Sequence, residues 1–118
     1  MNIMITSAYK RMAMVKQIID ERRGLFPNAK VFACDMNPAE ISSIADFDGC
    51  FKVPICTSED YVETIFSLSL GYNISHIITM TDKEFIILSA NKNMFAKYGI
   101  QIDERKSIVS SEDVHRSQ

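Results

Sequence analysis

Long apolar runs and basic runs are both missing from this 118-residue chain. No apolar segment approaches the ~20 residues that a membrane-spanning helix needs, so no membrane segment is predicted. Lys and Arg occur as scattered pairs rather than in one stripe, and the formal net charge is −2. Nucleic acid is therefore not expected as a partner. An anionic small ligand at a single loop remains compatible with this charge pattern.

Cysteine is scarce, and its spacing excludes the common metal and redox motifs. Cys34, Cys50 and Cys56 form no CxxC pair, and His76 and His115 are isolated, so no metal site is predicted. Cys34 lies in an apolar run and is expected to be a buried free thiol. The chain starts without a charged segment and a secretory apolar stretch. An odd number of cysteines without such a signal predicts a cytoplasmic location.

The remaining composition is typical of one ordinary globular domain. Apolar residues make up 47% of the chain and charged residues 24%. A chain of this length can bury a sizeable core but is short for a complete two-substrate enzyme. No internal repeat, low-complexity tract or linker interrupts it. We therefore expect a single domain over residues 1–118.

Strand and helix patterns alternate from the N-terminus onward. Residues 3–5 are a continuous apolar run, typical of a parallel strand covered on both faces. Small side chains follow at 6–8, and apolar residues then recur at helical spacing, with an expected helix end at 22–24. Residues 30–35 predict a second strand, and 39–44 predict a short helix.

The second half of the chain repeats this alternation. Residues 50–53 predict a third strand that Pro54 stops, and the next helix has Thr57 and Ser58 as candidate N-caps. Residues 76–80 predict a fourth strand. A capping box at 81–84 begins a helix that is expected to end near Gly99. Residues 100–102 and 108–109 are short strand candidates separated by an interruption at 103–106, and 110–113 resemble a helix start.

This alternation predicts an α/β fold: a Rossmann-like three-layer α/β/α domain with a parallel sheet of four to five strands and right-handed crossovers. The turns that follow the strands meet along one edge of such a sheet, although they are distant in sequence. Side chains in these turns are the candidate ligand-binding residues, and no catalytic constellation is evident among them. They are Ser7, Ala8, Tyr9, Lys10, Arg11, Asp35, Asn37, Thr81, Asp82 and Glu84.

The first turn lacks the glycines of a dinucleotide-binding fingerprint. No glycine occurs in residues 1–23, and a nicotinamide dinucleotide needs glycines there to admit its pyrophosphate. Ser7 and Ala8 would still allow close approach of an anion to the backbone. Lys10 and Arg11 are either ligand-binding cations or solvated charges at the start of the helix.

The acidic candidates also have two interpretations each. Asp35 either binds a ribose hydroxyl or closes an Asx-type turn over residues 36–38. Asp82 and Glu84 either contribute to a site or only begin the helix, because the capping box already explains Glu84.

Five segments, taken in order, resemble a known family. They are residues 2–11 (NIMITSAYKR), 31–38 (VFACDMNP), 53–54 (VP), 77–84 (IITMTDKE) and 108–113 (IVSSED). Together they look like the N-terminal, pre-ATP-grasp domain of carbamoyl-phosphate-synthase-like ATP-grasp proteins. The last segment is similar to the one that leads into the ATP-grasp domain.

The resemblance implies a ligase that uses ATP and Mg²⁺ to activate a carboxylate as an acyl phosphate, which an amine or another nucleophile then attacks. A domain of this kind would shape the side of the cleft that holds the small-molecule substrate, and it would be inactive alone. The nucleotide and metal would bind to ATP-grasp domains in the same parent chain or in a separate subunit. No cofactor is expected to bind tightly to residues 1–118.

One position departs from the family pattern. Tyr9 stands in the first turn, where relatives usually have glycine. Its side chain would narrow the pocket, offer a stacking surface, or indicate that phosphate recognition is lost. Two other functions stay open: a stand-alone nucleotide- or metabolite-binding module, and an interaction domain, for which a homodimer is one possible assembly.

Overall fold

The computed structural model describes residues 2–42 and 46–104. In this part of the chain five strands alternate with helices. The strands are β1 (Asn2–Thr6), β2 (Val31–Asp35), β3 (Gly49–Lys52), β4 (Ile74–Thr79) and β5 (Gln101–Glu104). The α-helices are α1 (Met12–Leu25), α2 (Pro38–Ser42), α3 (Tyr61–Gly71), α4 (Asp82–Ser89) and α5 (Lys92–Ala96).

All five strands are parallel, in the order β3-β2-β1-β4-β5. The central strand β1 pairs with β2, where Ile5 lies opposite Ala33, and with β4, where Ile5 lies opposite Ile78. The chain runs outward from β1 to β3 and then returns to the other side of β1. The strand order therefore reverses between β1 and β4, which is where such sheets bind ligands. The predicted Rossmann-like α/β fold is confirmed.

Alternate residues of the central strand face two different helical layers. Ile3 and Ile5 are buried in one core with Val15 of α1, whereas Met4 is buried in a second core with Ile65 of α3. The first core also includes α2, and the second also includes α4 and α5. Both faces of β1 are thus covered, and this explains why its sequence is apolar without alternation.

The first helix differs from its prediction at its C-terminal end. A short 3₁₀ turn, Ala8–Arg11, separates β1 from α1. At the other end, α1 continues to Leu25, so the expected end at 22–24 is wrong. The N–H of Phe26 donates to the carbonyl of Arg22 at 2.7 Å. Helical hydrogen bonding therefore passes through Gly24 instead of stopping there.

The third helix begins later than its candidate N-caps suggest. Thr57 and Ser58 lie in turns that precede α3, which starts at Tyr61. The Ser58 hydroxyl accepts a hydrogen bond from the N–H of Asp60 at 3.2 Å. This local bond satisfies a backbone donor within the turn and does not cap the helix.

The helix expected to extend from the capping box to Gly99 is instead two helices, α4 and α5, separated at Ala90 and Asn91. The Asn91 side-chain amide donates to the carbonyl of Ile87 at 3.1 Å, and so occupies an acceptor at the end of α4. Gly99 has a φ of 73°, a left-handed conformation that suits glycine and stops α5 as predicted.

The last strand is longer than expected, because β5 reaches Glu104 and includes Asp103, where an interruption was predicted. Residues 43 and 44 of the predicted short helix lie outside the described residues. The same is true of the strand predicted at 108–109 and the helix start at 110–113. Over residues 2–42 and 46–104, no helix has the length and apolarity that crossing a membrane requires.

Candidate ligand-binding cleft

The turns that follow β1, β2, β3 and β4 enclose a cleft of about 320 Å³ at the carboxyl edge of the sheet. This volume lies within the range of small-molecule sites. Five of the ten candidate residues line it. They are Ser7, Lys10, Asp35, Thr81 and Glu84. The shared edge arises because every strand is parallel, so that all four turns emerge on the same side.

The other five candidates lie outside this cleft lining. Ala8 is fully buried in the core beneath α1. Tyr9, Arg11, Asn37 and Asp82 are exposed, and Arg11 borders a separate, open groove beside the start of α1. Only some of the candidate side chains in these turns therefore line the cleft.

The β2 turn has the Asx geometry that was one interpretation of Asp35. Its Oδ2 atom accepts a hydrogen bond from the N–H of Asn37 at 3.0 Å. The carbonyl of Asp35 accepts another from the N–H of Val53 at 3.0 Å, which ties this turn to the end of β3. Asp35 thus stabilises its own corner and also presents its half-buried side chain to the cleft.

The capping box at the start of α4 is formed. The Thr81 hydroxyl oxygen accepts from the N–H of Glu84 at 3.3 Å, which satisfies one of the free donors at a helix N-terminus. The same hydroxyl donates to Glu84 Oε1 at 2.9 Å. The Glu84 side chain is therefore held at the start of α4 and against the cleft.

Tyr61 is a member of this site that sequence reasoning missed. It is the first residue of α3 and only 1% exposed, and its hydroxyl donates to Glu84 Oε2 at 2.6 Å. Burial, together with the Glu84 charge and this hydrogen bond, raises the pKa of Tyr61 far above its usual range. Tyr61 is consequently a permanent donor. A buried Tyr hydroxyl needs a partner, but local spacing does not indicate which one.

Two lysines line the cleft from different turns. Lys10 belongs to the 3₁₀ turn after β1, and Lys83 belongs to the first turn of α4. Neither forms an ion pair with any residue in the described part of the chain. Lys83 was not among the sequence candidates because only its neighbours fitted the capping box. Both ammonium groups are available to an anionic ligand.

Comparison with protein families agrees with this architecture. Residues 3–102 match the family described as PylC-like, N-terminal domain. The chain belongs to this family. Its members are pre-ATP-grasp domains of ATP-grasp ligase-like proteins, so the resemblance predicted at that level is confirmed. The narrower carbamoyl-phosphate-synthase-like affiliation stays a prediction. No curated protein matches the chain.

The first turn of this PylC-like domain is strained at Ser7. This residue has a φ of 48°, a left-handed conformation that is uncommon outside glycine. Its N–H donates to the carbonyl of Cys34 at 3.0 Å, which holds the turn onto β2. Tyr9, in contrast, lies within the right-handed 3₁₀ turn. The absence of glycine at position 9 therefore requires no left-handed backbone there.

Neither Cys34 nor Cys56 provides an activated nucleophile to the PylC-like domain. Cys34 is a buried free thiol, as predicted, and Cys56 lines the cleft. Burial, followed by the Glu84 charge, raises the pKa of both thiols. Each thiol is thus protonated near neutral pH, and a protonated thiol is a poor nucleophile.

Proposed function

We propose that this domain forms the substrate side of the active site in an ATP-grasp carboxylate–amine ligase of the carbamoyl-phosphate-synthase-like type, and that it is inactive alone. The observation that supports this best is the cleft at the point where the strand order reverses, with Lys10 and Lys83 facing it. Membership of the PylC-like N-terminal family supports the ligase assignment. The ordered sequence motifs support the narrower affiliation.

Two observations favour a ligand other than magnesium ATP in this cleft. Its first turn lacks the glycines of a dinucleotide-binding fingerprint, and the described residues contain no group of three or more His, Cys, Asp or Glu side chains that could hold a metal ion by themselves. In keeping with the family resemblance, we assign nucleotide and Mg²⁺ binding to ATP-grasp domains, in the same parent chain or in a separate subunit. Binding and orienting the substrate is the part that this domain contributes.

The substrate is expected to present an anionic group, a carboxylate or a phosphate, to Lys10 and Lys83. The carboxyl groups of Asp35 and Glu84 act as hydrogen-bond acceptors and so do not donate to an anion, whereas the two lysines are donors with no ionic partner among the residues described. A hydrogen bond to a charged group stabilises a complex by about 1.5–3 kcal/mol. The lysines are therefore the groups most able to attract an anion.

Titration of the 118-residue chain with ethyl phosphate, followed by NMR, tests this proposal. We expect the amide signals of residues 7–10, 35–36, 53–56 and 81–84 to shift. The double variant Lys10→Gln/Lys83→Gln should weaken binding by about tenfold or more. Lys97→Gln is the matched control, because this exposed lysine lies outside the cleft lining.

Two results would contradict the proposal. Shifts confined to other surfaces would show that the anion binds elsewhere. Tight binding of ATP by the domain alone would favour the stand-alone nucleotide-binding module instead.

A further inference from the structure

Glu84 is a buried carboxylate whose side-chain partners are all neutral. It is 4% exposed, and it accepts hydrogen bonds from the hydroxyls of Tyr61 at 2.6 Å and Thr81 at 2.9 Å. No Lys, Arg or His side chain among residues 2–42 and 46–104 forms an ion pair with it. A carboxylate removed from water is normally paired with a cation. This one has no such partner within the described chain.

The Glu84 carboxylate also has unused acceptor capacity. An ionised carboxylate offers about four lone-pair sites, and one hydroxyl donates to each oxygen. Glu84 is one of the residues that line the cleft, so a ligand in the cleft lies next to it. Glu84 also lies near both thiols, because burial, followed by the Glu84 charge, raises the pKa of Cys34 and Cys56.

The two hydroxyls come from different walls of the cleft. Val53, Ile55 and Cys56 form one wall, and the same connection leads into Tyr61 at the start of α3. Thr81 and Glu84 belong to the wall at the start of α4. The hydrogen bond between Tyr61 and Glu84 therefore joins both walls. It fixes the carboxylate in one orientation before a ligand arrives, and such preorganisation favours binding.

We propose that Glu84 binds a protonated amine of the ligand, and that Tyr61 and Thr81 are its positioning residues. The inference rests on the proposed function, because it takes the anionic end of the same ligand to bind at Lys10 and Lys83. The ligand is then bipolar, with an anion toward the lysines and an ammonium group at Glu84. The ammonium group supplies the counter-charge that the carboxylate lacks within the protein.

Matched phosphate probes separate the two ends of this ligand. O-phosphoethanolamine, 2-hydroxyethyl phosphate and ethyl phosphate share the anion and differ in an ammonium, hydroxyl or hydrogen terminus. Calorimetry with the 118-residue chain should show that O-phosphoethanolamine binds about tenfold more tightly than ethyl phosphate. The affinity for 2-hydroxyethyl phosphate should lie between these two values. The pair 3-aminopropyl phosphate and propyl phosphate repeats the comparison with one more methylene.

Variants then assign this preference to the carboxylate. Glu84→Gln should reduce the amine-to-ethyl affinity ratio to about one and should strengthen the binding of ethyl phosphate, because a negative charge is removed from the cleft. Tyr61→Phe should reduce the ratio about threefold by releasing one carboxylate oxygen. Glu63→Gln is the matched control, since this exposed glutamate of α3 is outside the cleft lining.

The outcomes distinguish this inference from the proposed function. The wild-type chain could bind the amine and ethyl probes with equal affinity while its phosphate binding still depends on the lysines. This result overturns the role of Glu84 and leaves the proposed function standing. An unchanged ratio in a folded Glu84→Gln variant also overturns the role of Glu84, and an unchanged ratio in a folded Tyr61→Phe variant overturns the positioning role of Tyr61. Thermal melting establishes whether each variant is folded. If Glu84→Gln does not fold, the Tyr61→Phe variant provides the test instead. Failure of every probe to bind overturns both proposals.

Discussion

Two threonines on neighbouring strands differ in whether their buried hydroxyls have a hydrogen-bond partner. Thr6 of β1 and Thr79 of β4 lie opposite each other in the sheet, and both are fully buried. The Thr79 hydroxyl donates to the carbonyl of Asp103 at 3.3 Å. The Thr6 hydroxyl has no partner within the described structure. An unsatisfied buried hydroxyl is destabilising, so the Thr6 hydroxyl at the carboxyl edge of β1 makes no evident contribution to stability.

Substitution of each threonine by valine tests this contrast. Thr6→Val should leave the free energy of unfolding unchanged or raise it by up to about 1 kcal/mol, because no hydrogen bond is lost. Thr79→Val should lower it by about 1 kcal/mol. Urea denaturation measures both values. A clear loss of stability in Thr6→Val would show that its hydroxyl does have a partner in solution.

Two glycines with different surroundings provide a second contrast. A Cβ atom on Gly49 would lie 2.9 Å from Cδ1 of Phe32, whereas a Cβ on Gly24 would have no neighbour within 4 Å. The Phe32 ring also packs against Phe51 and Tyr72, with centroids at 5.6 and 5.1 Å. It therefore has little freedom to move away.

Gly49→Ala should destabilise the protein by about 1–3 kcal/mol, the usual effect of overpacking. Gly24→Ala should stabilise it by about 0.5–1 kcal/mol, because glycine is unfavourable inside a helix. Thermal melting of the two variants measures the difference. If Gly49→Ala melts at or above the wild-type temperature, then the aromatic cluster is more mobile than the packing indicates.

At the scale of elements, a cluster of polar contacts, formed by Arg23, Asp46, Asp48 and the N–H of Val31, connects α1 with the start of β2 and β3. Arg23 of α1 donates to Asp46 Oδ2 at 2.8 Å and to Asp48 Oδ2 at 3.3 Å. Asp48 Oδ2 also accepts from the N–H of Val31 at 2.7 Å, so it satisfies a backbone donor where β2 begins. Asp46 has a 90% exposed side chain, and exposed ion pairs contribute little.

Asp48→Ala should therefore lower the free energy of unfolding by about 1–2 kcal/mol, because the Val31 amide loses its acceptor. Asp46→Ala should lower it by less than about 0.5 kcal/mol. Hydrogen exchange of the Val31 amide measures the first effect directly. If both variants lose the same amount of unfolding free energy, then the ion pairs, rather than the contact with the Val31 backbone, stabilise this polar cluster.

For the whole molecule, His76 couples stability to pH. This residue of β4 is half-buried, and burial lowers its pKa, an effect that Asp103 opposes and Arg22 reinforces. A histidine with a lower pKa in the folded state binds fewer protons there than in the unfolded chain. The contribution of His76 to stability is therefore present above its pKa in the unfolded chain, near 6.5. It is lost as the pH falls through the lower pKa of the folded state.

The free energy of unfolding of the wild-type chain should thus decrease between about pH 7.5 and pH 5.5 more than that of the His76→Gln variant. Denaturation curves at several pH values give the comparison, and the variant removes only the histidine term. Parallel pH profiles for the two proteins would show that His76 titrates normally in the folded state.

The sequence by itself determined the alternation of strands and helices, the parallel sheet and the turns at its carboxyl edge. Periodicity and turn chemistry depend on neighbouring residues, so they can be recognised without a structure. Five of the ten candidate residues line the cleft for this reason. They are Ser7, Lys10, Asp35, Thr81 and Glu84.

Only the tertiary structure decided how these turns become a site. It placed the hydroxyl of Tyr61 against Glu84, a residue 23 positions away, and brought Lys83 to the same cleft as Lys10. It also gave Ser7 a left-handed backbone that its residue type does not favour. Burial determines the strength of such contacts, and burial exists only after the helices have packed on the sheet.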